Sequence, residues 1–480
     1  MNRRMVFYTV GKMVCWEAIM LVLPLIVSFI YGDGSWSAIV ATIAIALALG
    51  GLLTLTCRTK NQVIYAKEGF VITALAWLAF SAVGALPFVL SGEIPGYVDA
   101  FFETVSGFTT TGATILERVE TMSHGLLFWR SFTHWVGGMG ILVFVMALIP
   151  EMSDRSIHLM RAEMPGPVVG KLVPRARDTA SLLYKIYIAM TVVEIVMLLL
   201  GGMSFFESVV HTFGTAGTGG FGVRSDSIAG YSPYLQWVIT VFMFLFGVNF
   251  NVYYLLLIRR FRSAAQSTEL WVYLAIVLAA AAAITANILP LAASFSEAVR
   301  LSAFQVSSFI TTTGFVTTDY NAWPGFSKNI LLLLMFIGAC AGSTGGGIKV
   351  SRVVMLCKLI GRELRRLLHP RSVSTVRFEG KTVEDATLHS VAVYLAVYML
   401  CFVVLVAVLC LEPFDFLTNF SAAASCFNNI GPVLSTGPAV SSFAAYSDFS
   451  KVLLSFAMLF GRLEIFPMLI ALIPSTWTKK

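Results

Sequence analysis

Four polar segments that end in glycine interrupt the apolar stretches of this chain, and their residue types are suited to binding an ion. They span residues 106–112 (SGFTTTG), 211–217 (HTFGTAG), 308–314 (SFITTTG) and 425–431 (SCFNNIG), with final glycines 105, 97 and 117 residues apart. An apolar residue stands four positions before each final glycine: Phe108, Phe213, Ile310 and Phe427. One such segment would be an ordinary turn, but four similar ones indicate a fourfold internal repeat.

The backbone of these segments is expected to coordinate a cation. Glycine permits positive φ and close backbone approach, so carbonyl oxygens from several loops can surround one point and replace a cation's hydration shell. An anion would favour Lys, Arg or helix N-termini, and the segments contain neither Lys nor Arg. The predicted ligands are the last three residues of each copy: Thr110, Thr111, Gly112, Thr215, Ala216, Gly217, Thr312, Thr313, Gly314, Asn429, Ile430 and Gly431.

The composition places these segments in a membrane protein. Of the 480 residues, 57% are hydrophobic and 12% are charged, whereas soluble domains carry roughly 25% charged residues. Several windows of about 20 residues have almost no charge, which is the length that crosses a bilayer. The seven cysteines show no CxxC spacing, the six histidines show no metal spacing, and no nucleophile–base–acid set stands out, so we expect neither a zinc site nor an enzyme.

The elements around the four loops predict an all-α polytopic fold with two extra N-terminal spans in residues 1–64. Four units follow at 65–150, 151–262, 263–382 and 383–480. Each unit has a first apolar span, a short semi-apolar segment, the polar loop and a second apolar span. The short segments (97–108, 203–213, 296–310 and 416–427) have about 10–14 residues, too few to cross a bilayer and typical of re-entrant helices. Because each unit crosses twice, the repeats are parallel.

The charge distribution predicts the orientation. With the N-terminus inside, most of the 33 Lys and Arg residues fall on the cytoplasmic face, above all in residues 349–381. The basic start of the chain is read as part of a retained first helix rather than a signal peptide. The net charge of +7 is therefore a topological signal and not a nucleic-acid site. Acidic residues collect on the opposite face, where they would concentrate cations: Glu93, Asp99, Glu103, Glu207, Glu297, Glu412 and Asp415.

With these motifs in hand, the chain resembles the Trk/Ktr/HKT superfamily of potassium transporters over residues 65–475. The motifs that carry the resemblance are the four loops, WRSFTHWVGGMGILV (129–143), HTFGTAGTGGFG (211–222), AGSTGGGIK (341–349) and FNNIGP (427–432). The extra N-terminal helix pair is similar to the TrkH/TrkG branch rather than the shorter KtrB branch. The fourth loop departs from the first and third, with Asn428, Asn429 and Ile430 in place of three threonines.

The resemblance implies the rest of the assembly. It implies four M1–pore helix–M2 repeats around a central potassium pore, each loop being one quarter of a selectivity filter. It also implies a multi-pass protein of the cytoplasmic (inner) membrane with both termini in the cytoplasm. A homodimer and a cytosolic, TrkA-like ring of nucleotide-binding regulatory subunits are implied as partners. Serine at the first filter position, as in some sodium-transporting plant members, is absent here because Gly112 occupies it.

A second glycine-rich stretch is expected to form a gate below the filter. Residues 337–347 break the second span of unit three and contain Gly338, Gly342, Gly345, Gly346 and Gly347. Each glycine costs a helix about 1 kcal/mol relative to alanine, so a straight helix is disfavoured. A packing kink is the alternative, since small residues also permit close helix contact. The stretch is not a Walker A loop, because it lacks the G-K-[ST] ending.

Three charged residues accompany the gate. Arg462 and Glu464 lie inside the last apolar span, where an ionisable residue is costly and faces the interior or water. We expect Arg462 to face the pore below the filter and to raise the barrier for cations, with a structural ion pair as the alternative. Lys349 is expected to be an interfacial lysine whose ammonium group reaches water.

The same residues are compatible with other functions. Sodium or mixed-cation transport would use the same fold, and both channel-like flux and flux coupled to protons or sodium fit the residues. An alternating-access transporter for an organic solute would favour inverted repeats with helix N-termini aimed at an anion, and the repeats here are parallel. A membrane enzyme would need a convergent acid, base or metal cluster.

Overall fold

The structure, a computed structural model, describes residues 1–59, 64–140, 176–372, 374–435 and 442–478, without the side chains of residues 176–180. The chain begins with helices α1 (Arg3–Met20) and α2 (Val22–Tyr31), followed by α3 (Trp36–Thr56). Helices α1 and α3 pack closely where Gly50 faces Cys15, since a β-carbon on Gly50 would lie 2.6 Å from the Cys15 sulfur. Small residues allow this approach between apolar helices.

Four successive stretches then share one order of elements: a long helix, a short helix, a loop and a further helix. The first has α4 (Ala66–Gly84), α5 (Leu86–Leu90), α6 (Tyr97–Phe108) and α7 (His124–Gly138). The second has α8 (Ala176–Leu200), α9 (Phe205–Gly217), α10 (Pro233–Phe246), α11 (Phe250–Leu257) and α12 (Phe261–Ala265). The third has α13 (Thr268–Ile288), α14 (Phe295–Ile310), α15 (Gly325–Phe336) and α16 (Val350–Leu368). The fourth has α17 (Asp385–Leu409), α18 (Phe416–Asn428), α19 (Asp448–Arg462) and α20 (Phe466–Leu472).

Apart from the α-helices, the described residues form loops, short 3₁₀ turns and one small hairpin. The 3₁₀ turns are Val119–Thr121, Tyr320–Ala322, Phe443–Ala445 and Pro474–Thr476. Strands β1 (Arg377–Phe378) and β2 (Lys381–Thr382) pair antiparallel between α16 and α17, with Arg377 opposite Thr382 and Phe378 opposite Lys381.

The helices fit a polytopic membrane protein. Within the described residues, six helical stretches are long and apolar enough to cross a bilayer: Arg3–Tyr31, Trp36–Thr56, Ala66–Leu90, Ser181–Leu200, Thr268–Ile288 and Asp385–Leu409. Helices α10 and α11 make a seventh if they are one span, although they meet at 90°. Exposed leucines such as Leu55 and Leu200, each 78% exposed, show that the apolar surface faces outward.

Some predicted spans are interrupted. The break in the third stretch, between α15 and α16, lies where the glycines predict it. Further breaks include those at Gly247–Asn249 and at Leu463–Ile465, and in the latter Glu464 and Ile465 have positive φ. The end of the predicted second span of the first unit, the boundary at residues 150/151 and the basic residues 155–175 lie outside the described residues.

The short helices begin at defined caps. Ser204, Ser294 and Asp415 each accept a hydrogen bond from the backbone N–H three residues later, at the starts of α9, α14 and α18. Such caps satisfy amides that have no partner within the helix. Capped helices of this length can therefore start inside the protein without leaving orphaned donors.

The core lies around the C-terminal ends of the short helices. At the end of α6, Phe108 packs edge-on against Phe80 at 5.6 Å and Trp129 at 5.9 Å, and all three are fully buried. Edge-to-face pairs of this kind contribute roughly 0.5–1.5 kcal/mol each. The helix ends that carry the polar loops are thus held by large side chains.

Candidate functional site

The four loops share one backbone conformation. A residue in the left-handed region is followed two positions later by a glycine with positive φ: Thr110 and Gly112, Thr218 and Gly220, Thr312 and Gly314, Asn429 and Gly431. The residue between them donates its backbone N–H to the carbonyl five residues earlier in every loop. These bonds are Thr111 to Ser106 (2.9 Å), Gly219 to Gly214 (2.8 Å), Thr313 to Ser308 (2.9 Å) and Ile430 to Ser425 (2.9 Å).

This geometry corrects the alignment of the second loop by three residues. Thr215, Ala216 and Gly217 lie inside helix α9, and residues 218–220 have the loop conformation instead. Helix α9 continues to Gly217, where a side chain would not fit, because a β-carbon there would lie within 3.0 Å of the His134 carbonyl oxygen. The equivalent segments are therefore 106–112, 214–220, 308–314 and 425–431, and the glycine spacings become 108, 94 and 117.

A signal for the correct alignment was present in the sequence. Phe221 follows Gly220 just as Phe315 follows Gly314, so TGGF in the second loop matches TTGF in the third. Under this alignment the apolar residue four positions before the glycine is Ala216, which is smaller than Phe108, Ile310 and Phe427. A large apolar residue at that position, as in the other three loops, favours Phe213 and therefore predicts the loop three residues too early.

The four glycines form a closed ring of backbone contacts. A β-carbon on each glycine would lie within 3.0 Å of a carbonyl oxygen of the next loop. The pairs are Gly112 with Gly219, Gly220 with Thr313, Gly314 with Ile430, and Gly431 with Thr111. Loop one therefore meets loop two, two meets three, three meets four, and four returns to one. This brings the predicted segments together, with oxygen-bearing backbone from each of them around one axis.

The threonine side chains brace the loops. Thr109 and Thr111 share a hydrogen bond of 2.8 Å, and Thr311 and Thr313 share one of the same length. In the fourth loop, Asn429 Nδ2 donates to Thr111 Oγ1 at 3.0 Å and to the Met458 carbonyl at 2.9 Å. The asparagine that departs from the threonine pattern thus ties the fourth loop to the first.

The glycine-rich stretch between α15 and α16 forms a pinched loop. Its ends are joined by a bridge between Ile337 and Ile348, with the Gly338 N–H donating to the Ile348 carbonyl at 2.8 Å. Gly338 lies too close to the Gly346 carbonyl for any side chain. Gly342 (φ 71°) and Gly347 (φ 66°) use the left-handed region. The predicted break is therefore an ordered loop and not a kink in a continuous helix.

This loop lies directly against two of the four polar loops. The Gly346 N–H donates to Thr312 Oγ1 at 2.7 Å. A β-carbon on Gly345 would lie 3.0 Å from the Thr311 carbonyl oxygen, and one on Gly346 would lie 2.6 Å from that of Asn428. Movement of the glycine-rich stretch would therefore change its contacts with loops three and four.

Arg462 joins loop one to the same stretch. Its guanidinium donates to Thr110 Oγ1 at 3.2 Å and to the Thr344 carbonyl at 2.8 Å. It also donates to the carbonyls of Gly137 (2.5 Å) and Gly138 (2.6 Å), at the end of α7. Arg462 therefore lies beside both the first polar loop and the glycine-rich stretch, as the sequence predicts. Glu464 pairs with Arg352.

Lys349 is buried and does not lie at the membrane surface, where the sequence predicts it. Its side chain is only 8% exposed, and its ammonium donates to the carbonyls of Gly345 and Gly346. The prediction of an interfacial lysine in contact with water is wrong, because the carbonyls of the glycine-rich loop supply the acceptors that water would supply at the surface.

The predicted acidic rim is largely engaged in internal bonds. Glu103 is buried, pairs with Arg130 at 2.6 Å and accepts from Thr114 Oγ1 and the Ile115 N–H, both at 2.9 Å. The Arg130 guanidinium also lies 3.4 Å from the centre of the Phe221 ring. Asp99 pairs with Lys451 at 2.6 Å. These carboxylates hold elements together, since their charges are neutralised by neighbouring cations.

Comparison with known proteins places the chain among cation transporters. A family model described as TrkH, a cation transport protein, matches residues 35–271 and 267–479. The Trk system potassium uptake protein TrkH of Salmonella typhimurium is 36% identical, over 99% of this chain and the whole of that protein. TrkG of Escherichia coli, another Trk system potassium uptake protein, is 34% identical over 97% of each chain.

A solved structure agrees with the fold. The crystal structure of the potassium transporter TrkH from Vibrio parahaemolyticus superposes with a TM-score of 0.89 at 32% identity, and the alignment covers all of both chains. The similarity therefore extends over both the N-terminal helices and the four stretches that carry the loops.

Proposed function

The chain belongs to the TrkH family of cation transport proteins, and we propose that it mediates potassium-selective uptake across the cytoplasmic membrane. The observation that carries this proposal is the ring formed by Gly112, Gly220, Gly314 and Gly431. Relatives named as potassium uptake proteins supply the identity of the ion. The chain acts as a transporter and not as an enzyme.

In this proposal the ring is the selectivity filter. The backbone of residues 110–112, 218–220, 312–314 and 429–431 coordinates the ion, with Thr218, Gly219 and Gly220 replacing the three residues first predicted for the second loop. Helices α6, α9, α14 and α18 end at the loops, so the partial negative charge of each C-terminus favours a cation. With one short segment per unit, few ions bind in series.

The stretch at residues 338–347 is the proposed gate, and Arg462 sets a barrier beside it. The loop contacts Thr312 and Asn428, so its position controls access to the filter from one side. The positive charge of Arg462 lies between loop one and the gate. A cation passing this level meets an unfavourable charge unless the gate and Arg462 move together.

Family membership also supports the proposed assembly. We expect a homodimer in the cytoplasmic membrane, both termini in the cytoplasm, four parallel repeats around the central pore of each subunit, and a TrkA-like cytosolic ring that binds a nucleotide. The basic stretch at residues 349–381 is the proposed docking region for that ring.

The direct test is ion flux into liposomes that contain the purified protein. We expect rubidium, as a potassium substitute, to enter down an imposed gradient and sodium to enter much more slowly. Equal sodium and rubidium entry would support the alternative of mixed-cation transport in the same fold. Failure to carry either ion, together with uptake of an organic solute, would replace the proposal with an alternating-access mechanism.

A further inference from the structure

A buried carboxylate connects the two ends of the glycine-rich loop. Glu269, in the first turn of α13, is only 3% exposed. Its Oε1 atom accepts hydrogen bonds from the backbone N–H of Ala341 at 2.7 Å and of Ser351 at 3.0 Å. Ala341 lies near the start of the loop and Ser351 lies just after its end, so one oxygen holds both.

This carboxylate does not serve as the cap of its own helix. Ser267 is the N-cap of α13 and accepts from the Leu270 N–H at 3.4 Å. Glu269 is therefore available for the loop. Loss of this one oxygen would leave both backbone N–H groups without their partner, which costs more inside the protein than in water. A glycine-rich segment has much conformational freedom to lose, so such bonds are well suited to restrain it.

A second carboxylate fixes Glu269 from the hairpin. Glu379, in the turn between β1 and β2, accepts from the Glu269 N–H at 3.1 Å and from Ser267 Oγ at 3.2 Å. The hairpin is anchored by Phe378, which is 5% exposed, while Arg377 and Lys381 are exposed. A short path of direct contacts therefore runs from an exposed hairpin, through Glu379 and Glu269, to both ends of the loop.

We propose that Glu269 is a positioning residue that clamps the loop at residues 338–347, and that Glu379 links this clamp to the hairpin, so that displacement of the hairpin releases the loop. The clamp itself is independent of ion transport. Its consequence for flux rests on the proposed function, in which the loop is the gate.

Cys340 supplies a reporter inside the loop. Its side chain is fully buried, and its backbone N–H donates to the Gly247 carbonyl at 3.1 Å. With the other six of the seven cysteines replaced by alanine, a charged thiol reagent reports only the exposure of Cys340. Labelling is measured in detergent for the otherwise unchanged chain, Glu269→Ala, Glu269→Gln and Glu379→Ala. Glu384→Ala removes an exposed glutamate and is the matched control.

We expect Glu269→Ala to increase the labelling rate of Cys340 about tenfold or more, since two hydrogen bonds that restrain the loop are lost. Glu269→Gln, which keeps one acceptor oxygen, should give a labelling rate between those of the unchanged chain and Glu269→Ala. Glu379→Ala should also increase the labelling rate. The Glu384→Ala rate should equal that of the unchanged protein. Similar melting temperatures for all variants would separate release of the loop from general unfolding.

Unchanged labelling in both Glu269→Ala and Glu379→Ala would overturn the clamp. If Glu269→Ala fails to fold, Glu379→Ala decides the question alone, because its side chain lies outside the membrane-spanning helices. Rubidium flux in the same variants then tests the gate separately. Faster labelling of Cys340 together with faster rubidium flux supports both the clamp by Glu269 and the assignment of the loop as the gate. Faster labelling with unaltered flux keeps the clamp and contradicts the assignment of the loop as the gate.

Discussion

Two separate physical demands require glycine at the four ring positions. Each has a positive φ, between 77° at Gly112 and Gly220 and 98° at Gly431, which side chains rarely adopt. Each also lies too close to a neighbouring carbonyl oxygen for a β-carbon to fit. A substitution must therefore move two loops, its own and the next.

Gly112→Ser is the sharpest test of this crowding. The serine β-carbon would displace the Gly219 carbonyl, so we expect discrimination against sodium to weaken about tenfold or more, the effect of roughly 1.4 kcal/mol. The measurement is the ratio of rubidium to sodium flux in liposomes. Gly51→Ser, at a helical glycine with open space around it, is the control. Unchanged selectivity in Gly112→Ser would argue against the filter.

The second loop offers a test of the corrected alignment. Gly220→Ser should impair selectivity as Gly112→Ser does, because the β-carbon meets the Thr313 carbonyl. Ala216→Ser places a hydroxyl inside helix α9, where it can bond to the preceding turn, and should leave the rubidium-to-sodium ratio within about twofold. The reverse ranking of the two variants would restore the original alignment.

Arg462 combines charge with four hydrogen bonds. Arg462→Ala should raise potassium flux, because the positive charge beside the pore is removed, and should lower the melting temperature, because carbonyls of Gly137, Gly138 and Thr344 lose their donor. Arg462→Lys keeps the positive charge but fewer hydrogen bonds. Its potassium flux should therefore be close to that of the unchanged protein, while its melting temperature should remain lower. Arg262→Ala, at an exposed arginine, controls for loss of charge. Flux and gating that match the unchanged protein would exclude a barrier role.

At the scale of elements, one carboxylate adds hydrogen bonds to the packing of the N-terminal helices against the first unit. Asp33, between α2 and α3, accepts from the Gly125 N–H in α7 at 2.9 Å and from Ser35 Oγ at 2.6 Å. Burial raises the pKa of Asp33, but the hydrogen bonds from Ser28, Ser35 and Gly125 outweigh it and hold that pKa below its ordinary value of 3.8.

This attachment predicts a pH dependence. Because the folded pKa of Asp33 is lowered, its stabilising effect is complete above pH 3.8 and is lost as the pH falls through the lower folded value. Asp33→Asn should therefore reduce the melting temperature at pH 7, by about 1–2 °C for a partly exposed group, and much less at pH 3. Melting curves at both pH values measure this. Glu117→Gln, at an exposed carboxylate, should show no such difference. An equal effect of Asp33→Asn at both pH values would contradict the argument.

At the scale of the whole molecule, closure of the ring depends on all four units. The contacts run from each loop to the next and back to the first, so each unit supplies one quarter and none can form the site alone. The quarters are not equal. Arg462 contacts the first loop, the glycine-rich stretch contacts the third and fourth, and His134 packs against Gly219 in the second. The site is therefore only approximately fourfold.

Orientation in the membrane can be tested on the whole chain. In a cysteine-free background, Lys381→Cys in the hairpin should react with an impermeant thiol reagent only from the cytoplasmic side, because the positive-inside rule predicts that the basic face lies inside. Glu117→Cys, after the first loop, should react only from the outside. Intact cells and inside-out vesicles provide the two directions. Labelling of both cysteines from the same side would contradict the predicted topology.

The sequence by itself determined the membrane class, the order of long and short helices and the place of the glycine-rich break, because hydropathy and glycine content act locally. Three of the four loops were also located correctly, since their glycines follow helices that end where the polar residues begin. The second loop was placed three residues too early, because Gly217 lies in helix α9, where close contact with His134 requires a glycine although no loop begins there.

Only the tertiary structure decided the contacts between distant residues. The closed order of the ring, the pairing of Glu103 with Arg130 and the hydrogen bonds of Glu269 to Ala341 and Ser351 each join residues from different elements. Local propensity cannot specify such pairs, because a buried charge is stable only beside partners that the fold supplies. Each loop is specified by its own local sequence, but the ring that the four loops form exists only after all four units have packed together.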